Sequence, residues 1–319
     1  MKILIADSFP DSHAQVLEKN EHELTIDPSL DGEDLIRAIG DNEVLIVRST
    51  KVSADTMDAA SALKLIIRAG AGTNTIDKSH AAEKGIKVCN VPGANALAVA
   101  ELVMGLILCI DRQLPQNASD LKNNIWNKKK YSQAQGIYGQ KIAILGLGAI
   151  GFAVASRAKA FGMEVYALSK SGRSDEAEQK MSDAGIIQLE SLNALLKTCD
   201  IVSLHMPATA ETTSMVNQEF LANMKPGAML INSSRGELVD EAALIEAMDN
   251  HGIRVGLDVY NNEPGAGENK FDSALAVHPS VCGTHHIGAS TNQAQIAVSD
   301  GVLDVIQSYL DSDVINCVN

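Results

Sequence analysis

The run Lys141-Ile142-Ala143-Ile144-Leu145, followed at once by Gly146-Leu147-Gly148-Ala149-Ile150-Gly151, decides the fold. Its continuous apolar residues read as a strand buried on both faces, which is the habit of parallel sheets. Phe152-Ala153-Val154-Ala155-Ser156-Arg157-Ala158, directly after the glycines, reads as a helix. In a strand, turn and helix context the G-x-G-x-x-G spacing has a physical meaning. The first glycine permits the tight turn, the second lets a pyrophosphate approach the backbone, and the third lets helix and strand pack closely. The free N–H groups of the first helical turn attract the phosphates. Gly146, Gly148, Ala149, Ile150 and Gly151 are therefore predicted to hold a nicotinamide dinucleotide that oxidises or reduces a small substrate. Without its flanking elements the same spacing is only a structural turn.

Outward from the turn, apolar runs alternate with helical stretches in both directions. Downstream strands are predicted at Glu164–Leu168, Ile201–Leu204, Met229–Ile231 and Val255–Leu257; upstream ones at Ile3–Ala6, Val44–Val47, Leu65–Arg68 and Val88–Val91. Two parallel sheets of one class follow one another. Between them lies a predicted helix from Ala96 through Ile110, with Asn95 as its cap, serving as hinge or domain connector. Asn292–Leu310 reads as one amphipathic helix returning to the first domain.

Composition agrees with two cores. The chain has 319 residues, too many for one ordinary domain, and the low aromatic share of 3% suits aliphatic α/β interiors. A formal net charge of −14 argues against a general nucleic-acid binder, so an anionic ligand must meet a local basic cluster. The longest apolar run, Leu102–Ile110, is far too short to cross a membrane. The N-terminal residues read directly into the first strand, so neither a leader nor export is expected, and a cytoplasmic protein is. Five scattered cysteines without CxxC spacing read as reduced thiols, mostly in the core, and no metal site is expected.

The residue that reads the adenine ribose is expected about twenty residues after the turn, where NAD sites carry a carboxylate. Here the strand runs into Ser169, with Lys170 and Arg173 in the loop beyond. A serine and two cations fit a 2′-phosphate, which favours NADP or use of both dinucleotides; the other reading of Lys170 and Arg173 is ordinary solvated loop charge. Further along, three strand ends lead to Asn232-Ser233-Ser234-Arg235-Gly236, to Glu263-Pro264, and to His285-His286-Ile287-Gly288. Ligands of open parallel sheets bind beyond such ends. His286 is suited to move a hydroxyl proton, Glu263 to orient and charge it, and Arg235 to grip a substrate carboxylate. Each alone has an ordinary structural reading, and their order after a dinucleotide turn is what points to catalysis.

Val47-Arg48-Ser49, Arg68-Ala69-Gly70-Ala71-Gly72, Ala100-Glu101-Leu102, Leu145 to Gly151, Asn232 to Asp240 and His286 to Thr291 together resemble the D-isomer-specific 2-hydroxyacid dehydrogenase family over almost the whole chain. The resemblance implies catalytic roles for Arg235, Glu263 and His286, and dinucleotide contacts at His205-Met206-Pro207, Thr212, Ser233-Ser234, Asp258 and Gly288. It implies an α/β fold of two doubly wound parallel-sheet domains: a Rossmann NAD(P) domain, 96–288, inserted in a flavodoxin-like substrate domain made of 1–95 and 289–319, with the chemistry in the cleft. It also implies a homodimer formed through the cofactor domain, with Ala96–Ile110 either near that contact or buried inside the domain. Arg48, Ser49, Ala71, Gly72 and Lys128 resemble a site for a phosphorylated 2-hydroxy acid, although Lys128 to Lys130 also read as a solvated basic patch. The serine and basic loop resembles instead reductases of hydroxypyruvate and glyoxylate, and His285 replaces the family's usual proline. Larger members append a regulatory domain, and this chain is expected to resemble the short forms. A sensor that binds dinucleotide without turnover is the alternative of another class.

Overall fold

A computed structural model describes residues 1–264 and 270–319. These divide into two compact units, Met1–Ala96 with Ala289–Asn319, and Leu97–Gly288. The first unit holds the strands β1 Lys2–Ile5, β2 Glu23–Ile26, β3 Val44–Val47, β4 Leu65–Arg68 and β5 Lys87–Asn90. They lie in the order β2-β1-β3-β4-β5, all parallel, which is the flavodoxin-like order.

Successive side chains of a strand point to opposite faces, so each central strand feeds two cores. On one face Leu4, Leu45, Val47, Ile66 and Val88 pack with Leu35, Met57 and Ala81 from three short helices. On the other, Ile3, Ile5, Val44, Ile46, Leu65, Ile67 and Cys89 pack with Leu17 and with Val298, Val302, Val305 and Ile306. The last four belong to the helix Asn292–Leu310, capped by Thr291, so the end of the chain completes the core begun by its start.

The second unit holds β6 Lys141–Leu145, β7 Glu164–Leu168, β8 Ile187–Leu189, β9 Ile201–Leu204, β10 Met229–Asn232, β11 Arg254–Leu257 and β12 Val281–Gly283. Their order is β12-β11-β10-β9-β6-β7-β8, a parallel Rossmann arrangement. Ile142, Ile144, Val165, Ala167, Ile201 and Ile231 face a core shared with the helices Ala96–Arg112 and Ala149–Ala160. Leu145, Val202, Leu204, Leu230, Val255 and Leu257 face the opposite core.

Two edge strands, β2 and β8, carry no continuous apolar run and are absent from the sequence reading. Glu23 to Ile26 is largely exposed, and Ile187 is exposed while Gln188 and Leu189 are half-buried. Asn95 does not cap the following helix as expected: its Oδ1 is buried without a hydrogen-bond partner among the described residues. The helix is entered instead through a backbone turn, Ala96 N–H donating to the Gly93 carbonyl at 3.0 Å. No helix among the described residues is long and apolar enough to cross a membrane.

Candidate dinucleotide and catalytic site

The chain passes from β6 outward through β7 and β8, then returns to place β9 on the other side of β6. The connections leaving β6 and β9 therefore diverge, and the crevice beyond their carboxyl ends is where such sheets receive ligands. Gly146 adopts φ +101°, and a Cβ there would run into the His205 carbonyl of the neighbouring strand end. A Cβ on Gly151 would meet the Gly146 carbonyl and the Ile144 side chain, so the helix could not lie as close to its strand. Gly148 is different, because a Cβ there meets nothing within 4 Å. It also forms the N-cap of the helix Ala149–Ala160 with no side-chain hydrogen bond to the first-turn N–H groups. Space and free donors coincide there, as a pyrophosphate requires.

Two orphaned polar atoms belong to the strand ends alongside. His205 Nε2 contacts Ser203 Oγ at 2.8 Å, but its Nδ1 is buried without a partner among the described residues, as is Ser233 Oγ. Burial lowers the His205 pKa to about 4, so the ring is neutral at physiological pH. Buried polar atoms cost free energy unless satisfied, and a polar ligand in this crevice would satisfy them. The residues present thus fit a dinucleotide. Met206 and Pro207 continue from His205 into a turn closed by Thr212, whose Oγ1 donates to the Pro207 carbonyl at 2.7 Å. Ser234 Oγ donates to the Leu204 carbonyl at 3.2 Å, tying the end of β10 to that of β9.

At the end of β7, the Ser169 N–H donates to the Leu189 carbonyl at 2.8 Å. Lys170 is exposed. Arg173 is more engaged: its guanidinium donates to the Leu168 carbonyl at 2.7 Å and to Gln188 at 2.9 Å, and pairs with Glu178 at 3.5 Å. It is anchored by protein groups, whereas Lys170 keeps the freedom of a surface cation.

His286 and Glu263 meet across 23 residues of sequence, Nδ1 to Oε2 at 2.6 Å. The other Glu263 oxygen accepts the Tyr260 N–H at 2.9 Å. The Glu263 hydrogen bond, the largest influence, raises the His286 pKa; burial and the Arg235 charge oppose it, and the Glu263 and Asp258 charges assist it. For Glu263 the largest influence is burial, which raises its pKa, but the His286 and Tyr260 hydrogen bonds with the His286 and Arg235 charges outweigh it and the net shift is downward. Each shift favours the charged form of its group, carboxylate for Glu263 and imidazolium for His286, and with 52% of the His286 side chain exposed its Nε2 edge can meet a substrate.

The loop that presents His286 is held from beneath by Asp258. Its Oδ1 accepts the Thr284 hydroxyl at 2.6 Å and the Ile287 N–H at 2.8 Å, and its Oδ2 the Gly288 N–H at 2.8 Å. These bonds fix a backbone in which His286 takes φ +52°, a left-handed conformation uncommon for a residue with a side chain. Glycine at 288 suits the same approach, since a Cβ would lie 2.8 Å from Asp258 Oδ2 and displace that carboxylate. Arg235 arrives by a similar device: Gly236 lies so close to the Tyr260 carbonyl that any Cβ would overlap it, which presses the Arg235 turn onto the chain leading to Glu263. Asn232 Nδ2 donates to the Arg235 carbonyl at 2.8 Å, and Arg235 Nη1 to the Ser234 carbonyl at 2.6 Å. Thr284 and the Tyr260 N–H were not singled out from the sequence, because nothing in a lone threonine or a backbone group signals its partner.

In the first unit, Arg48 and Ser49 follow β3. A single oxygen of Asp7, Oδ2, accepts the N–H groups of Arg48, Ser49 and Thr50 at 2.6, 3.1 and 3.2 Å. The Arg48 guanidinium reaches Ser290 Oγ at 3.4 Å. The Ala71 carbonyl, next to Gly72, accepts the Asn90 side chain at 2.6 Å. Lys128 opens the short helix Lys128–Tyr131 of the second unit and is exposed. Asp7 escaped the sequence reading, although an aspartate ending a strand is the available signal.

The model of the D-isomer specific 2-hydroxyacid dehydrogenase NAD-binding domain matches residues 104–288. The chain is 38% identical over its whole length to a D-3-phosphoglycerate dehydrogenase of Methanocaldococcus jannaschii, of which it spans 60%. It is also 38% identical to a hydroxypyruvate reductase of Thermotoga maritima, the match covering 93% of this chain and 94% of that one. Among solved structures it is similar to an acyclic imino acid reductase in complex with NADPH and D-Arg, with TM-score 0.85, 27% identity and full coverage of both chains.

Proposed function

This chain belongs to the D-isomer specific 2-hydroxyacid dehydrogenase family, and from that premise we propose that it is an NAD(P)-dependent dehydrogenase of D-2-hydroxy acids acting on 3-phosphoglycerate. The observation that carries the reading is the 2.6 Å contact of His286 with Glu263, on a loop whose backbone Asp258 fixes. The bound dinucleotide supplies a nicotinamide ring that accepts or donates hydride. With Nδ1 engaged by Glu263, His286 presents Nε2 to the substrate and takes the C2 hydroxyl proton during oxidation. Glu263 stabilises the imidazolium that forms, and in reduction the same imidazolium returns the proton. Arg235 binds the substrate carboxylate in two-pronged fashion and polarises the adjoining carbonyl. Arg48 is the cation of the first unit that we assign to the phosphate, with Ser49, Ala71 and Gly72 lining that site, and Lys128 is the candidate cation of the second unit. His286→Asn is expected to lower kcat by about two to four orders of magnitude. A rate unchanged by this substitution removes His286 from the proton transfer.

For the dinucleotide we favour NADP, through Ser169 and Lys170, with Arg173 supporting the loop. A second reading, an NADPH-dependent reductase of hydroxypyruvate or glyoxylate, draws on that same loop and on the match with the Thermotoga maritima protein, which covers 93% of this chain and 94% of that one. Steady-state kcat/KM for 3-phosphoglycerate and for unphosphorylated acids, with both dinucleotides, separates the two. Comparable efficiency with and without the phosphate overturns the substrate assignment. Ser169→Asp is expected to move the preference toward NAD by about tenfold, as a carboxylate repels a 2′-phosphate and binds a ribose diol. An unmoved preference overturns the cofactor assignment. We further assign the protein to the cytoplasm and to a homodimer formed by the second unit, which sedimentation tests.

A further inference from the structure

The segment after the last helix lies along the open edge of the first sheet. Asn90 N–H donates to the Asn316 carbonyl at 3.2 Å and Val318 N–H to the Val88 carbonyl at 2.8 Å, which sets Cys317 opposite Cys89 in an antiparallel bridge. The two bonds flank the pair rather than join its own backbone groups. That is the close type of antiparallel pair, with Cα atoms about 4.5 Å apart and facing side chains. A disulfide needs Cα atoms roughly 4.4–6.8 Å apart. Asn319 pins the register: its Oδ1 accepts the Val88 N–H and its Nδ2 donates to the Ile86 carbonyl, both at 2.8 Å.

We propose that Cys89 and Cys317 form a thiol–disulfide exchange site, oxidised by a low-molecular-weight disulfide of the glutathione type and reset by free thiols. The chemistry of the two partners is unequal. Cys317 is exposed and Cys89 is fully buried. Burial first, and the Cys317 thiol beside it, push the Cys89 pKa up to about 12. Cys317 is therefore the entering group. Its thiolate attacks the reagent disulfide, whose S–S bond breaks to leave a mixed disulfide on Cys317 and one free thiol. Cys89 then attacks the Cys317 sulfur, its proton passing to the departing thiolate, which leaves as the second thiol. Two protein thiols are oxidised and one reagent disulfide is reduced to two thiols. The bridge locks the tail to β5, whose Asn90 also holds the Ala71 carbonyl.

The test is incubation of the full chain with oxidised glutathione, followed by intact mass, thiol titration and peptide mapping without reductant. The expected product is lighter by two hydrogens and loses two of its five titratable thiols. It carries a crosslink between the Cys89 and Cys317 peptides, forms faster as pH rises, and reverts with dithiothreitol. Its Tm should rise by on the order of 5 °C. Cys317→Ser should show none of these changes while keeping the Tm of the reduced chain. A glutathione adduct that stalls on Cys317, a crosslink mapped instead to Cys109 and Cys282, or a chain left unmodified would each overturn the proposal.

Discussion

Beyond β6 and β9 the crevice is lined by glycine, and a Cβ on Gly148 would meet nothing within 4 Å. Beyond β1 and β3, the corresponding point of the other sheet, the Asp7 carboxylate accepts N–H groups from Arg48, Ser49 and Thr50. Both places arise from the same topology, since in each sheet the strand order reverses there. The contrast separates what a fold supplies from what its residues decide. Parallel strands that diverge leave a gap with exposed backbone donors; glycine keeps those donors for a ligand, whereas an aspartate uses them to hold its own chain.

The contrast is broken most forcefully at Gly148. Its φ of −84° and ψ of −165° are open to any residue, so Gly148→Val should fold normally. The valine would fill the space a pyrophosphate needs, and dinucleotide affinity should fall by about a hundredfold or more, roughly 3 kcal/mol, while Tm stays within about 2 °C. Titration calorimetry beside thermal unfolding reads both quantities. Undiminished affinity would mean that the dinucleotide does not use this crevice.

The His286 loop adds a third arrangement, in which Asp258 holds the backbone as Asp7 does but a second carboxylate, Glu263, acts on a side chain. Glu263→Gln should lower kcat by about tenfold to a hundredfold, a part of the general acid–base factor. Because the Glu263 hydrogen bond is the main cause of the raised His286 pKa, its loss lowers that pKa. In the proposed proton transfer oxidation needs neutral His286, so its acid limb should move to lower pH. Reduction needs the imidazolium, so its alkaline limb should move to lower pH as well. The stability linkage has two sides. The lowered Glu263 pKa gives stability present above its ordinary 4.5 and lost as pH falls through the folded value. The raised His286 pKa gives stability present below its ordinary 6.5 and lost as pH rises through the folded value. The pair is therefore worth most between pH 4.5 and 6.5. A pH–rate profile unmoved by Glu263→Gln would assign the control of His286 elsewhere.

Much of this was readable in the sequence because the deciding features are local. Gly146 to Gly151 runs from the end of a strand into the first turn of a helix, and the central strands are continuous apolar runs because both of their faces are buried. β2 and β8 were not readable, since an edge strand needs no such run. The Glu263 and His286 contact was reachable only as a grouping by order and chemistry, because its 23-residue separation follows no helical or strand period. Asn95 misled for the complementary reason: its position before a helix is that of a cap, yet its Oδ1 is buried without making that bond. Arg173 is engaged by Leu168 and Glu178, both close to it in sequence, and by Gln188, which lies on the edge strand that the sequence did not reveal.

The smallest expected effect tests the filled crevice. Asp7→Asn keeps one acceptor oxygen but removes the charge that favours three converging N–H groups, and charge-assisted bonds are about twice as strong as neutral ones. The loss should be roughly 1–3 kcal/mol, seen as a Tm lower by a few degrees. The backbone of Arg48 would lose its anchor, so KM for the acid substrate should rise severalfold while kcat changes little. Dinucleotide affinity should stay within about twofold, because this crevice uses its donors internally and offers none to a phosphate. A fall in dinucleotide affinity comparable to that of Gly148→Val would show that the two crevices are not distinguished by their side chains as argued. An unchanged Tm and KM would show that the Arg48 turn is set by its strand alone, leaving the Asp7 carboxylate without a structural role.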